Sequence, residues 1–208
     1  YVLAQEVEFV FSNHLFSPER DKLGWKVFGR RTGPALQGQI AVLEDSPIRS
    51  LNDLKKQDVV FAGPEAFVGY RLPQAELMNR GIEVNAVFAG NQNAAFAQLL
   101  AGRAKAVGSN SALIDGFMEK HNAKFRVLWT SEDYLDLALM ASSKVSSKDV
   151  RAVSQAFIDM HKSKAGASIL RRASESVGMN PDSHFLPATD KDYENYRRFY
   201  ATAPMAVR

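Results

Sequence analysis

Short apolar runs rich in Val, Ile and Phe recur along this chain and alternate with segments whose apolar residues repeat at helical spacing. Strands that alternate with helices are typical of α/β proteins, in which crossover helices connect the strands of a mostly parallel sheet. The pattern therefore predicts an α/β fold, with strands near residues 7–11, 26–29, 38–43, 58–62, 84–88, 104–109, 125–130 and 136–141.

Helix start signals lie between these runs. Ser50 is followed by Asp53, and Ser146 by Asp149, the spacing of a capping box at a helix N-terminus. Apolar spacing then predicts helices at residues 69–79, 91–100, 111–120, 150–162, 166–177 and 190–201. The last of these carries an aromatic stripe that predicts a buried face, formed by Tyr193, Tyr196, Phe199 and Tyr200.

Composition excludes several classes of function. The formal net charge is +3, but acidic and basic residues alternate along the chain, so no basic surface for nucleic acid is expected. No apolar run approaches the roughly 18 residues of a membrane span. The chain has no cysteine, which excludes disulfides, thiolate metal sites and a thiol nucleophile.

Catalytic and cofactor motifs are also missing from the sequence. There is no GxSxG, GxxxxGK[ST] or GxGxxG motif. The four histidines, His14, His121, His161 and His184, do not have the spacing of a metal motif. We therefore predict no enzyme activity, no cofactor and no metal.

Polar residues follow three of the predicted strands, in the turns at residues 62–70, 88–93 and 108–111. In α/β sheets, ligands bind at the carboxyl ends of strands, where helix N-termini offer unpaired N–H groups. Ordinary Gly/Pro turns and helix capping by Asn explain the same residues, so both interpretations remain open. The candidate ligand residues in these turns are Phe67, Tyr70, Asn91, Gln92 and Asn110.

Three further residues are candidates for ligand contact. Asn13 and His14 follow the first predicted strand at its carboxyl end, although a structural role for His14 is an equal alternative. Gln37 precedes the strand at 38–43 and either reaches a ligand or bridges two parts of the fold.

Several motifs spread along the chain carry a family likeness. They are Asp45–Leu54 (DSPIRSLNDL), Val59-Val60-Phe61, Gly63-Pro64, Gly69-Tyr70, Pro73, Gly90-Asn91-Gln92, Ala101-Gly102-Arg103-Ala104, Trp129 and Leu135-Asp136-Leu137. In this combination they resemble the periplasmic phosphate, phosphite and phosphonate-binding proteins of ABC importers, over nearly the whole chain.

The resemblance implies a type II periplasmic-binding-protein fold, with two α/β lobes that each contain a mostly parallel sheet flanked by helices. On that template residues 1–50 and 126–208 form one lobe, and residues 51–125 form the other. The family's opening β-α units have no counterpart here, so the first lobe is expected to be incomplete. A small solute is expected to bind in the cleft between the lobes.

The chain departs from the family at the positions that bind phosphonate. The family's Ser-Thr-Ser-type triplet is replaced by residues 66–68, Ala-Phe-Val, and its His-Glu pair by Asn91 and Gln92. A family tyrosine falls at Leu36, beside Gln37, whereas the aspartate at Asp136 is kept. Loss of the hydroxyl groups predicts a small organic solute other than phosphonate.

These observations predict a periplasmic or other extracytoplasmic solute-binding protein that delivers its solute to an ABC permease. Any export signal is expected to have been removed from this chain. The alternative is the periplasmic sensory domain of a two-component sensor kinase with the same fold, and an enzyme on the same lobes is a third class. The predicted ligand residues are Asn13, His14, Gln37, Phe67, Tyr70, Asn91, Gln92, Asn110 and Asp136.

Overall fold

The computed structural model describes residues 2–4, 6–176 and 179–208. The chain divides into two compact units. The first comprises the chain up to Ala35 together with Tyr134–Thr202, and the second comprises Leu36–Asp133 together with Ala203–Arg208. These boundaries replace the predicted ones near residues 50 and 126, because the strands at 38–43 and 125–130 both pair within the sheet of the second unit.

The predicted strands and helices are present, most of them within three residues of the predicted bounds. The strands are β1 (Phe9–Ser12), β2 (Lys26–Arg31), β3 (Gly38–Leu43), β4 (Asp58–Phe61), β5 (Asn85–Phe88), β6 (Ala106–Asn110), β7 (Phe125–Thr130), β8 (Ala138–Ala141) and β9 (Phe185–Leu186). The helices are α1 (Pro18–Asp21), α2 (Leu72–Asn79), α3 (Gln92–Leu100), α4 (Ser111–His121), α5 (Ser147–Asp159), α6 (Lys164–Ser176) and α7 (Glu194–Thr202).

Some elements differ from the prediction. The short α1 and β9 were not expected, and the predicted helix at 69–79 begins as a π-helical turn, Phe67–Arg71, before α2. The helix predicted at 190–201 likewise begins as a 3₁₀ turn, Asp190–Tyr193, before α7. The predicted end of the helix at 166–177 lies outside the described residues.

The first unit contains a sheet with strand order β1-β8-β2-β9, in which every described pairing is antiparallel. This corrects the expectation of a mostly parallel sheet in each lobe. The physical reason is the position of β8, which inserts between β1 and β2 and runs against both.

Two apolar layers stabilise the first unit. One face of α5, with Val150, Val153, Phe157 and Met160, packs on a core that includes Phe28 and Phe185, as its apolar stripe predicted. The predicted aromatic stripe of the C-terminal helix is also buried at Tyr193, Tyr196 and Tyr200.

The second unit contains a sheet with strand order β5-β4-β6-β3-β7. β4 runs parallel to both β5 and β6, whereas β3 runs antiparallel to both β6 and β7. One core cluster joins this sheet to α3 and α4, and another joins it to α2. The carboxyl ends of β4, β5 and β6 consequently lie at one edge of the sheet, and we call this edge the carboxyl edge.

Candidate functional site

Three helical segments begin at the carboxyl edge. The π-turn at Phe67–Arg71 follows β4, α3 follows β5, and α4 follows β6. The first N–H groups of a helix have no partner inside it, and the helix dipole is positive at that end. The edge is therefore suited to a ligand that offers acceptor oxygens.

The backbone of the π-turn lies directly on β3 and β6, and two glycines make this possible. A Cβ atom at Gly38 would lie 2.7 Å from the carbonyl oxygen of Val68. A Cβ atom at Gly108 would lie 2.2 Å from a ring carbon of Phe61 and 2.6 Å from the carbonyl oxygen of Gly69. Gly38 was not singled out in the sequence and Gly108 was only part of the candidate turn at 108–111, because close approach of two backbones leaves no periodic signal in a sequence.

Gln92 is a buried amide at the start of α3. Its Nε2 donates a hydrogen bond of 3.0 Å to the carbonyl oxygen of Gly108 in β6. Its Oε1 faces Gly69, where a Cβ atom would approach it to 2.8 Å. The predicted ligand residue Gln92 thus links α3, β6 and the π-turn.

Asn91 and Asn110 both cap helices. The Oδ1 atom of Asn91 accepts a hydrogen bond of 2.9 Å from the N–H of Ala94, and that of Asn110 accepts one of 3.0 Å from the N–H of Ala112. Each cap uses the amide oxygen of the Asn side chain. The amide N–H₂ group takes no part in the cap, and the described residues provide no hydrogen-bond partner for it. The two side chains therefore add donors, rather than acceptors, to the carboxyl edge.

Phe67 and Tyr70 contribute apolar surface to the π-turn. Phe67 is buried, and the ring centre of Tyr70 lies 5.0 Å from that of Phe61 and 5.0 Å from that of Phe88. Burial raises the pKa of the Tyr70 hydroxyl above its ordinary value. The hydroxyl of Tyr70 therefore remains neutral at physiological pH.

Gln37 connects the start of β3 to the start of α4. Its N–H donates to Ser111 Oγ at 2.9 Å, and its carbonyl oxygen accepts from the N–H of Ser111 at 3.0 Å. Its side-chain Nε2 donates to Asp133 Oδ1 at 2.8 Å. The sequence analysis missed Asp133 and included Ser111 only as part of the candidate turn at 108–111, since neither contact with Gln37 follows from local spacing.

In the first unit, Asn13 and Asp136 gather near a pair of buried tyrosines. Tyr196 donates a hydrogen bond of 2.6 Å to the carbonyl oxygen of Leu135, and Asn13 Nδ2 lies 3.5 Å from the Tyr196 hydroxyl oxygen. Burial raises the pKa of the hydroxyl groups of Tyr193 and Tyr196, and the charge of Asp136 raises both further.

Asp136 is exposed, but neighbouring protein atoms displace part of the water around its carboxyl group. This desolvation raises the pKa of its carboxyl group above the ordinary value, although part of the residue's surface stays accessible, and the backbone N–H of Leu137 opposes the shift. A carboxyl group in such surroundings is stabilised by a hydrogen-bond donor or a cation of a ligand. Asp136 therefore remains a candidate ligand residue.

His14 lies in the turn after β1. Its backbone N–H donates to Ser12 Oγ at 3.0 Å, and its carbonyl oxygen accepts a hydrogen bond of 2.9 Å from Arg20. These backbone contacts stabilise the turn. They do not involve the imidazole ring, so its contact with a ligand stays a prediction.

The residues that the structure describes contain no group of three or more His, Cys, Asp or Glu side chains arranged to hold a metal ion. Among the same residues no helix is both long and apolar enough to cross a membrane.

A family model described as "ABC transporter, phosphonate, periplasmic substrate-binding protein" matches residues 2–193 of the chain. No curated protein matches it in sequence.

Three solved structures illustrate the fold to which the chain is similar. A Xanthomonas citri protein bound to chloride ion has a TM-score of 0.77 at 15% identity, over 97% of this chain and 78% of that one. PhnD1 from Prochlorococcus marinus, in complex with methylphosphonate, has a TM-score of 0.72 at 17% identity, over 95% and 78%. A binding protein component of an ABC phosphonate transporter from Pseudomonas aeruginosa has a TM-score of 0.68 at 14% identity, over 96% and 70%.

Proposed function

This chain belongs to the phosphonate periplasmic substrate-binding proteins of ABC transporters, and from that premise we propose that it binds a small organic solute other than phosphonate. Its fold is that of type II periplasmic binding proteins, as the resemblance implied. Members of the family bind solutes and are not enzymes, and this chain is proposed to release its solute chemically unchanged.

The set of donors at the carboxyl edge carries this proposal. The side-chain oxygens of Asn91 and Asn110 cap helices. Their amide N–H₂ groups, together with the unpaired backbone N–H groups at the helix starts, are therefore the donors that a ligand would meet. The family's hydroxyl triplet is absent, because residues 66–68 are Ala-Phe-Val. Hydrogen bonds to charged groups contribute about 1.5–3 kcal/mol each, so losing three hydroxyls weakens binding of a dianionic phosphonate.

The solute is therefore proposed to combine acceptor oxygens with an apolar part. A carboxylate or sulfonate carries a single charge, and neutral amide donors stabilise one charge better than two, since no cation is added. Tyr70 provides aromatic surface at the carboxyl ends of β4 and β5, where its ring packs against Phe61 and Phe88, whereas Phe67 is buried within the π-turn. A monoanionic organic acid fits this combination of groups.

The proposed ligand residues divide between the two units. The second unit provides Gln37, Phe67, Tyr70, Asn91, Gln92 and Asn110, with Gln37 and Gln92 acting largely by positioning their neighbours. The first unit provides Asn13, His14 and Asp136. Each set is open to test by substitution within its own unit.

The family belongs to ABC importers, and we propose an extracytoplasmic location and delivery of the solute to a membrane permease. The sensory domain of a two-component kinase was the alternative prediction. The family model that matches the chain describes a transporter protein, and the similar structures described above include a transporter component. A transporter role is therefore the function that we propose.

A thermal-shift screen tests the proposal. The chain is heated with phosphonates, phosphite, carboxylic acids, sulfonates, amino acids and inorganic sulfur oxyanions. A ligand at 100 times its Kd stabilises the folded state by about 2.7 kcal/mol, or about 5–10 °C for a chain of this size. The largest shift is expected with a monoanionic organic acid.

Two results would contradict the proposal. If the largest rise in melting temperature occurs with methylphosphonate or phosphate, the solute is of the phosphonate type after all. If no compound raises the melting temperature, the chain does not bind these solutes. Mass spectrometry of the ligand after prolonged incubation with the protein provides the second readout, and a chemically altered ligand would indicate an enzyme.

A further inference from the structure

Two histidines that are distant in sequence lie side by side in the first unit. His161 belongs to the 3₁₀ turn at Met160–Lys162, which follows α5, and His184 immediately precedes β9. Their ring centres are 4.6 Å apart, and the ring planes are inclined by 38°. The sequence analysis expected no metal because it considered only spacing along the chain, which does not show this pair.

Both rings line one surface hollow of about 170 Å³, together with Leu170, Arg171 and Asp182. The backbone of His184 is held on both sides by Thr32: its N–H donates to Thr32 Oγ1 at 3.0 Å, and its carbonyl oxygen accepts from the N–H of Thr32 at 2.8 Å. One wall of the hollow is therefore anchored next to β2.

The ring of His184 is oriented by its own loop. Its Nδ1 lies 3.2 Å from the carbonyl oxygen of Asp182. A carbonyl oxygen only accepts, so this contact places the proton on Nδ1 and leaves the lone pair on Nε2. Metal-binding histidines are commonly oriented in this way, by a hydrogen bond from the second ring nitrogen to a carbonyl or carboxylate oxygen.

The separation of the rings matches two ligands of one metal ion. Metal–nitrogen bonds of about 2.0–2.1 Å place two adjacent imidazole ring centres about 4.5–5.2 Å apart, for bond angles between square and tetrahedral. The observed 4.6 Å lies within this range. The observed separation is therefore compatible with two imidazole rings that bind one ion.

The charges that face the pair come from three elements. Arg171 on α6 and Asp182 form a long, exposed ion pair of 3.5 Å, and Asp159 at the end of α5 binds Lys162 at 2.6 Å. The hydrogen bonds from Lys162 and Gln155 hold the pKa of the Asp159 carboxyl group below its ordinary value. Two carboxylates and two cations therefore balance near the hollow, and Arg171 is the cation that lines it.

We propose that His161 and His184 form a binding site for a divalent transition-metal ion, completed by water. Imidazole ligands suit copper, nickel and zinc, and the general order of affinity places Cu²⁺ first. The inference does not depend on the identity of the solute, since none of these residues is among the proposed ligand residues.

Copper titration of the full chain, prepared without an added histidine tag, tests the site. Isothermal titration with CuCl₂ is expected to show one Cu²⁺ per chain, and electron paramagnetic resonance is expected to show nitrogen coupling. His161→Gln and His184→Gln are each expected to weaken Cu²⁺ binding by at least about 10- to 100-fold. His121→Gln is the matched control, because His121 stacks on Phe117 in the second unit, 4.3 Å between ring centres.

A variant that binds Cu²⁺ more tightly than the wild type serves as a further test, because misfolding would weaken Cu²⁺ binding and not strengthen it. Arg171→Gln removes the cation that lines the hollow and releases Asp182, so it is expected to tighten Cu²⁺ binding. Equal Cu²⁺ affinity in the wild type, His161→Gln and His184→Gln overturns the proposal. Weaker binding in Arg171→Gln than in the wild type overturns it as well.

Discussion

Gln92 Nε2 donates a hydrogen bond of 3.0 Å to the carbonyl oxygen of Gly108, and this one contact ties the start of α3 to β6. Gln92 is only 8% exposed, and its other amide atom faces Gly69 in the π-turn. Because its side chain is buried and one of its two amide N–H donors is already used, Gln92 shapes the carboxyl edge more than it offers groups to a ligand. Stability and solute binding should therefore change together when it is replaced.

We predict that Gln92→Leu destabilises the fold by about 1–3 kcal/mol, since it removes the hydrogen bond that a buried amide makes to the carbonyl oxygen of Gly108. Urea unfolding followed by circular dichroism measures this loss. Asn93→Leu is the control, because Asn93 is exposed on the same helix turn and its replacement should stay within about 0.5 kcal/mol. Equal losses in the two variants would contradict a special role for Gln92.

A pair of glycine substitutions tests the close approach of the π-turn to β6. Gly108→Ala would place a Cβ atom 2.2 Å from a ring carbon of Phe61 and is expected to cost about 1–3 kcal/mol or more. Gly116→Ala meets nothing within 4 Å in the middle of α4 and is expected to stabilise the chain by about 0.5–1 kcal/mol. Thermal unfolding of the two variants should therefore shift in opposite directions.

The order of strands and helices was predictable because it depends on local periodicity and capping. The capping signal at Ser50 and Asp53, for example, is realised in the structure, where the N–H of Ser50 donates to Asp53 Oδ2 at 2.9 Å. The partners of each strand are a long-range property. β3 was predicted to lie in the first lobe, whereas it pairs with β6 and β7 in the second unit, and this pairing joins residues far apart in sequence.

The same distinction applies to the candidate site. Asn91 and Asn110 were found because polar residues after a strand mark the start of a helix, a local signal. The contact of Gln37 with Ser111 and the pairing of His161 with His184 join distant segments, and nothing in the local sequence indicates them. The glycines below the π-turn are hidden for the same reason.

Asn110 allows its capping role to be separated from ligand contact. Asn110→Ser keeps an oxygen that can cap α4 but removes the amide donor, so stability should stay within about 0.5 kcal/mol of the wild type. Solute affinity should fall by about fivefold or more if the amide donates to the solute, which corresponds to a hydrogen bond of about 1 kcal/mol. Calorimetry with the solute that the thermal-shift screen identifies measures the affinity.

Asn110→Asp is the companion variant. It also keeps a capping oxygen, and its negative charge is favourable at the helix N-terminus, so it should preserve or slightly raise stability. The same charge repels an anionic solute, and binding should be lost. Unchanged affinity in both variants would remove Asn110 from the ligand residues and leave it as a cap alone.

Asp192 makes the stability of the first unit depend on pH. The N–H of Thr189 donates to Asp192 Oδ2 at 2.7 Å, and this bond holds the pKa of the Asp192 carboxyl group below its ordinary value. A lowered folded-state pKa contributes stability above the ordinary pKa of about 3.9 and loses it as the pH falls through the lowered value. The turn that leads into α7 should therefore weaken on acidification.

We predict that Asp192→Asn is less stable than the wild type at pH 7, by about 0.5 kcal/mol because the carboxyl group is exposed and screened by solvent. The difference should shrink as the pH falls below about 4, where protonation removes the charge from the wild type as well. Urea unfolding at pH 7 and pH 2.5 measures both values. Asp53→Asn should show the same trend in the second unit, since the N–H groups of Arg49 and Ser50 lower the pKa of Asp53. A difference that stays constant with pH would show that shape, and not charge, accounts for these two caps.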